Sequence, residues 1–379
     1  MPMTSFLNAR TSRRSVLALA AASLLSGSAF ARVMADGSYS EGYQIGEGDD
    51  YSFAYSPSIA PYQDYVYAFA TAENGKGYYA SYDGNEWSSW SGWTTQPVNY
   101  QYQPTAVSYN DKLYVVYTGE DDHLYTSSYD GSTWDDWQDF SGDHTYWAAP
   151  YTTTYGDTLY VYACGSDGVP YYKTFDGTTW SDWQTWENAP AVYGQPYALE
   201  WGDHENVFYT GKDGKVYWVR YDGATWNEYK ALAGEGSYDG VYAVGYAPEQ
   251  NLYAYGTGKD GSAAYNVFDG SGWSGWAYYD GAPEVSYAPS AYVYDDVQYI
   301  VYTGKDNHGY QTTYDGKEWG GWEDLGSNYA YEPKQYGYGD SLYLAYTGSN
   351  GYVYFKTYAG GEKPSNDYEY AEPTPTPGY

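Results

Sequence analysis

The chain has 379 residues, 22% of them aromatic, and a net charge of −32 from 49 acidic and 17 basic side chains. Such a charge repels DNA, RNA and anionic lipid, whose binding rests on Lys and Arg contacts, so no nucleic acid is expected as a partner. A single cysteine, Cys164, excludes an intrachain disulfide and a multi-cysteine metal site, and it reads as a small buried hydrophobe.

Residues 1–31 carry the marks of a twin-arginine signal peptide. Arg13 and Arg14 lie in Ser12-Arg13-Arg14-Ser15, an apolar stretch follows from Val16 to Leu25, and Ala29-Phe30-Ala31 supplies a cleavage site. Export to the periplasm, the cell surface or the medium is the expectation. Removing these residues takes three arginines and no acid, so the mature charge is about −35. No other apolar segment is long enough to insert in a membrane. Residues 32–54 form an N-terminal segment with room for one strand.

From residue 55 the chain repeats itself. An aromatic-Asp-Gly triplet recurs at Tyr82-Asp83-Gly84, Tyr129-Asp130-Gly131, Phe175-Asp176-Gly177, Tyr221-Asp222-Gly223, Phe268-Asp269-Gly270 and Tyr314-Asp315-Gly316, with a degenerate copy at Tyr358-Ala359-Gly360. Successive spacings are 47, 46, 46, 47, 46 and 44 residues. A proline stands 26 residues before the triplet's centre in six copies, and Ala243 replaces it in the fifth. Asp or Asn stands nine residues before the centre in all seven. A tryptophan follows four residues after it in six: Trp87, Trp134, Trp180, Trp226, Trp273 and Trp319.

Each repeat reads as four short strands, in the second copy about 104–109, 112–119, 123–130 and 133–140. Asn110-Asp111, Glu120-Asp121-Asp122 and Asp130-Gly131 mark the turns between them. Four antiparallel strands at this period predict an all-β, seven-bladed β-propeller over residues 55–362. The seventh repeat has only three strands, so a strand from 32–54 is expected to close the last blade and hide its edge. Residues 363–379, rich in Pro and Thr, read as a disordered tail.

Catalytic chemistry is scarce. His123, His144, His204 and His308 share no metal-ligand spacing, and Gly256-Thr257-Gly258-Lys259 is repeat grammar rather than a phosphate loop. Beyond the signal the only arginines are Arg32 and Arg220, too few for sialidase-type chemistry. The acids recur once per blade at turns, where they shape hairpins, instead of forming one unique pair. No catalytic residue, metal or cofactor is expected.

What remains is aromatic. A second ring follows the repeated tryptophan by three residues: Trp90, Trp137, Trp183, Tyr229, Trp276 and Trp322. In a regular strand, residues three apart face opposite sides. The first ring then packs between blades while the second lines a groove that suits the flat face of a sugar. The alternative is that adjacent blades bury both rings.

The pattern Tyr-Asp-Gly-x-x-Trp-x-x-Trp, as at Tyr129 to Trp137, resembles the repeats of seven-bladed bacterial lectins of the PLL type and, more distantly, the fungal fucose-lectin propellers. That resemblance implies sugar sites between adjacent blades, built from aromatic and polar residues. The fucose lectins use an arginine in each site, and this sequence repeats none. The expected function is therefore an exported, multivalent glycan-binding protein, with glycans or a glycosylated surface as partner. The alternatives are a structural or cell-envelope interaction scaffold, and an enzyme with one site in the central channel.

Overall fold

The computed structural model describes residues 38–339 and 341–359. Residues 1–31, read above as a signal peptide and including Arg13, Arg14, Ala29 and Ala31, and residues 363–379 lie outside the described residues.

Seven antiparallel sheets follow one another along the chain, and no helix occurs among the described residues. Blade 2 is typical: Thr105–Tyr109, Lys112–Thr118, Leu124–Tyr129 and Gln138–Asp139 pair in sequence order. The first strand of each blade neighbours the first strand of the next. That of blade 7, Lys334–Tyr338, neighbours that of blade 1, Ser58–Tyr62, which closes the ring. Prolines 57, 104, 150 and 333 immediately precede these inner strands, where a missing N–H is tolerated.

Blade 7 takes its outer edge from the other end of the chain. Ser38–Tyr39 and Tyr43–Gln44 both pair with Val353–Ala359. The pairing is reciprocal at Ser40, whose N–H donates to Thr357 O (2.8 Å) and whose Oγ accepts from Thr357 N (3.0 Å).

Local chemistry explains the turns. In all six complete triplets the aspartate Oδ1 accepts two backbone N–H groups, as Asp130 does from Ser132 and Thr133 at 2.8 Å each. Such bonds hold Asp83, Asp130, Asp176 and Asp222 below the ordinary carboxylate range, and Asp269, which also accepts from the Ser271 hydroxyl, lies at about 2. The next residue adopts a positive φ, +94° at Gly131, where a Cβ would also meet the side chain of Gln63.

The core is divided among the seams. Each of seven blade interfaces has its own cluster of buried side chains, such as Phe69, Trp93, Val115 and Tyr117 between blades 1 and 2. Backbone staples join neighbouring blades at the same repeat position. Phe53, Tyr100, Tyr146, Val192, Tyr238, Val285 and Tyr329 each donate an N–H to a carbonyl in the preceding blade's turn, at 2.7–2.9 Å. On the opposite face, tyrosine hydroxyls tie one blade to the next, as Tyr62 to Asp111 O (2.7 Å) and Tyr109 to Asp157 O (2.6 Å). Much of the tyrosine is thus structural. Cys164, fully buried, occupies the repeat position that is threonine in the other six blades. In five of those the hydroxyl donates to a carbonyl of the following blade's entry segment, for example Thr118 to Ala148 O at 2.7 Å.

Candidate functional site

The outer strand departs from the predicted one, and the departure decides where the paired rings go. Trp134 makes a single bridge to Tyr129, the chain then leaves the ladder, and pairing resumes only at Gln138–Asp139. One contributor is the residue after the first tryptophan. In four blades its side-chain oxygen replaces a backbone carbonyl in the ladder: Ser81 N donates to Ser88 Oγ, Thr174 N to Ser181 Oγ, Arg220 N to Asn227 Oδ1 and Val267 N to Ser274 Oγ, at 2.6–3.1 Å. The backbone is displaced outward there, and the two-residue alternation is lost.

Both rings of each pair therefore enter the same seam, the one shared with the preceding blade. Trp87 and Trp90 join the blade 7–1 cluster, Trp134 and Trp137 the 1–2 cluster, and Trp180 and Trp183 the 2–3 cluster. Trp226 and Tyr229, Trp273 and Trp276, and Trp319 and Trp322 follow in the 3–4, 4–5 and 5–6 clusters. The opposite-face geometry expected of a regular strand does not occur. The first rings also lie on the triplet aromatic of their own hairpin, as Tyr129 and Trp134 do at 5.0 Å. Among the second rings Trp90 is 6% exposed, and the other five are half-buried. Trp183 donates Nε1–H to Phe140 O (2.9 Å) and carries the ammonium of Lys173 over its ring at 5.4 Å.

A third ring position escaped the sequence reading. Three residues beyond each second ring stand Trp93, Phe140, Trp186, Leu232, Tyr279 and Leu325, all apolar or aromatic. Four of these are rings that the next blade's pair grips: Trp186 meets Trp226 at 5.0 Å and Tyr229 at 5.8 Å, and Tyr279 meets Trp319 at 4.8 Å and Trp322 at 5.4 Å. The signal was present as a further apolar residue at the same three-residue step.

One seam opens into a cleft. Between blades 5 and 6 a cavity of about 260 Å³ is lined by Asp260, Ser262, Tyr278, Tyr279, Pro283 and Glu284. Tyr278 is 52% exposed, and its hydroxyl lies 3.5 Å from that of Tyr238. The corresponding residue in blades 2 and 6 is an aspartate, paired with a histidine: His123 with Asp139 (2.7 Å) and His308 with Asp324 (2.9 Å). Those carboxylates raise both imidazoles above their ordinary range.

A second cavity, about 510 Å³, lies at the mouth of the central channel. Gln103 Nε2 donates to Gln195 Oε1 across the channel at 3.0 Å. Beside this bond Tyr151, Tyr197 and Tyr242 form a row with centroids 4.9 and 4.1 Å apart.

No protein-family model and no curated protein sequence matches the chain. Solved structures do. A fucose-specific lectin from Aleuria aurantia superposes with a TM-score of 0.51 at 17% identity, over 73% of this chain and 96% of that one. AofleA from Arthrobotrys oligospora gives 0.50 at 16% identity, over 75% and 89%. BBS1N, solved in complex with ARL6DN, gives 0.58 at 12% identity, over 84% and 96%. The likeness is one of fold. Fungal fucose-binding lectins are among the chains that share the β-propeller fold.

Proposed function

We propose that this chain is an exported carbohydrate-binding protein without catalytic activity, whose sites lie at the seams between blades and act together on a polymer or glycosylated surface. The observation that carries this reading is the blade 5–6 cleft. It sets the exposed ring of Tyr278 beside Asp260, Ser262 and Glu284, an aromatic face with hydrogen-bonding groups at its rim. Trp319 and Trp322 brace the adjacent Tyr279 from behind. Weak sites on one rigid ring give avidity by mass action. The lectin likeness of the fold adds support. A glycan array probed with residues 32–379 tests the reading: binding to one glycan class, weakened by Tyr278→Ala, is the expected result. An array without signal overturns it.

A protein-interaction scaffold is the second reading. It is favoured by the packing of the second rings, which are gripped by the neighbouring blade rather than presented at an open groove. An enzyme with a central-channel site has less support, because, of the two acids at the channel mouth, Asp239 and Glu332, the latter is tied to Lys334.

A further inference from the structure

Blades 4, 5 and 6 differ from the other four in two ways, and both differences meet at the channel mouth. Their inner strands are long: Val192–Glu200, Tyr238–Tyr246 and Val285–Tyr294 have 9, 9 and 10 residues, against five elsewhere. Each is broken by a bulge, between Tyr193 and Tyr197, Tyr238 and Gly240, and Ser286 and Ser290. Bulges redirect side chains and gather next to binding sites. The same three blades carry lysine at one turn position, Lys212, Lys259 and Lys305, where blades 1 and 2 carry Glu73 and Glu120 and blades 3 and 7 carry serine. In a chain of net charge −32, the repeat thus sorts its cations onto one arc of one face.

Lys259, Lys305 and Lys334 line the 510 Å³ cavity, against the carboxylates of Asp239 and Glu332. Lys334 is neutralised by Glu332. Lys305 reaches the exposed Glu284 at 3.2 Å. Lys259 pairs with no carboxylate among the described residues, and its ammonium lies over the Tyr193 ring at 5.8 Å. Solution ions screen the distant acids over roughly 8–10 Å, and the near lysines are balanced by Asp239, Glu332 and Glu284, so the cavity is locally neutral in a strongly acidic chain, with Lys259 the cation left without an ion pair among the described residues.

The cavity also has an aromatic wall held in an unusual conformation. Tyr287 sits at the blade 6 bulge with φ +61°, rare for a bulky residue, and its ring is 47% exposed. Thr257 donates its hydroxyl to the Tyr287 carbonyl, which fixes that conformation from the neighbouring blade. Strain of this kind persists where the surroundings over-determine it, and it clusters at binding sites.

We infer that the channel mouth of blades 4–6 is a second binding site, distinct from the seams, for a carboxylate-bearing sugar of the uronic acid type. Lys259 and Lys305 take the carboxylate, Tyr287 offers its face to the ring C–H groups, and Asp239 and the Gln195 amide are placed to bond hydroxyls. The volume falls within the range of about 300–1,000 Å³ common to small-ligand sites.

Calorimetric titration with glucuronate, glucose and acetate at constant ionic strength tests the assignment. Glucuronate is expected to bind at least tenfold more tightly than either, because glucose lacks the anion and acetate lacks the ring. Lys259→Gln combined with Lys305→Gln should weaken glucuronate at least tenfold, with an unchanged melting temperature. Tyr287→Ala should bring glucuronate down towards acetate. Equal binding of glucuronate and glucose, equal binding of glucuronate and acetate, or indifference to the lysine pair each overturns the site. Tyr278→Ala, in the adjoining seam cleft but not in the lining of the channel mouth, should leave glucuronate binding intact, so failure here and failure of the seam site are told apart.

Discussion

Trp93 of blade 1 stands edge-on to Trp137 of blade 2, with ring centroids 5.3 Å apart and planes at 76°. Trp134 meets the same indole at 5.2 Å and 80°. The seam is thus a clamp in which one blade's third ring is held by the next blade's pair. Trp137→Ala should cost about 3–5 kcal/mol, the range for deleting a large packed aromatic. In a double-mutant cycle with Trp93→Ala the two losses should not add, with a coupling of about 0.5–3 kcal/mol between contacting residues. Chemical unfolding of the four proteins measures both. Additive losses would refute the clamp.

Glu205 is fully buried at the start of a blade 4 strand, where Oε1 accepts from Tyr162 Oη at 3.0 Å and Oε2 has no partner among the described residues. Burial pushes its carboxyl well above the ordinary range. A raised folded pKa means that the stability Glu205 contributes is fully present below the unfolded value of about 4.3 and is lost as pH rises through the folded value. Glu205→Gln keeps the acceptor and removes the titration. Blade 6 already has this arrangement, with Gln298 accepting from Tyr255. The variant should match the parent's melting temperature at pH 4 and exceed it at pH 8. A difference independent of pH would show that ionisation of Glu205 is not the cause.

Deleting residues 38–54 should strongly lower the melting temperature or abolish cooperative unfolding. The deletion takes both outer strands from blade 7 and removes Ile45 and Phe53, which are 1% and 2% exposed in the blade 7–1 cluster. Those two side chains alone account for about 1.5–3 kcal/mol each. Calorimetry gives the answer, and a truncated protein that melts like the parent would contradict the closure.

Tyr278→Ala should change stability by no more than about 0.5 kcal/mol, as expected of an exposed position. Its retention on an immobilised glycan that binds the parent should fall. Loss of stability without loss of retention would make Tyr278 a packing residue.

The period, the four-strand blade and the closing strand were legible because their signals are local. An Asp-Gly turn needs its carboxylate and its positive φ within a few residues, whatever the rest of the chain does. The direction of the ring pairs was not legible from strand periodicity, because Ser88, Ser181, Asn227 and Ser274 take over a ladder bond with their side chains. A small polar residue after five of the six first tryptophans was the available sign. The bulged inner strands of blades 4–6 were also missed. Gly194, Pro196 and Pro289 mark two of them in the sequence, but which lysines they bring together depends on neighbouring blades.

Ser40 and Thr357 are bonded to one another across 317 residues of chain. The entropy of closing so long a loop grows only logarithmically with length, so the cost in stability is modest, yet the contact is among the least local of the described residues. The seam between blades 7 and 1 needs both ends of the chain, whereas every other seam joins consecutive repeats and forms as soon as the later one exists. Synthesis order therefore leaves one half-finished interface, around Trp90, uncovered for longest. Once closed, the ring has no privileged first blade. A chain whose ends are joined from Ala359 back to Ser38 and reopened between Thr185 and Val192 would complete the same seven seams, and would wait on the interface between blades 3 and 4 instead.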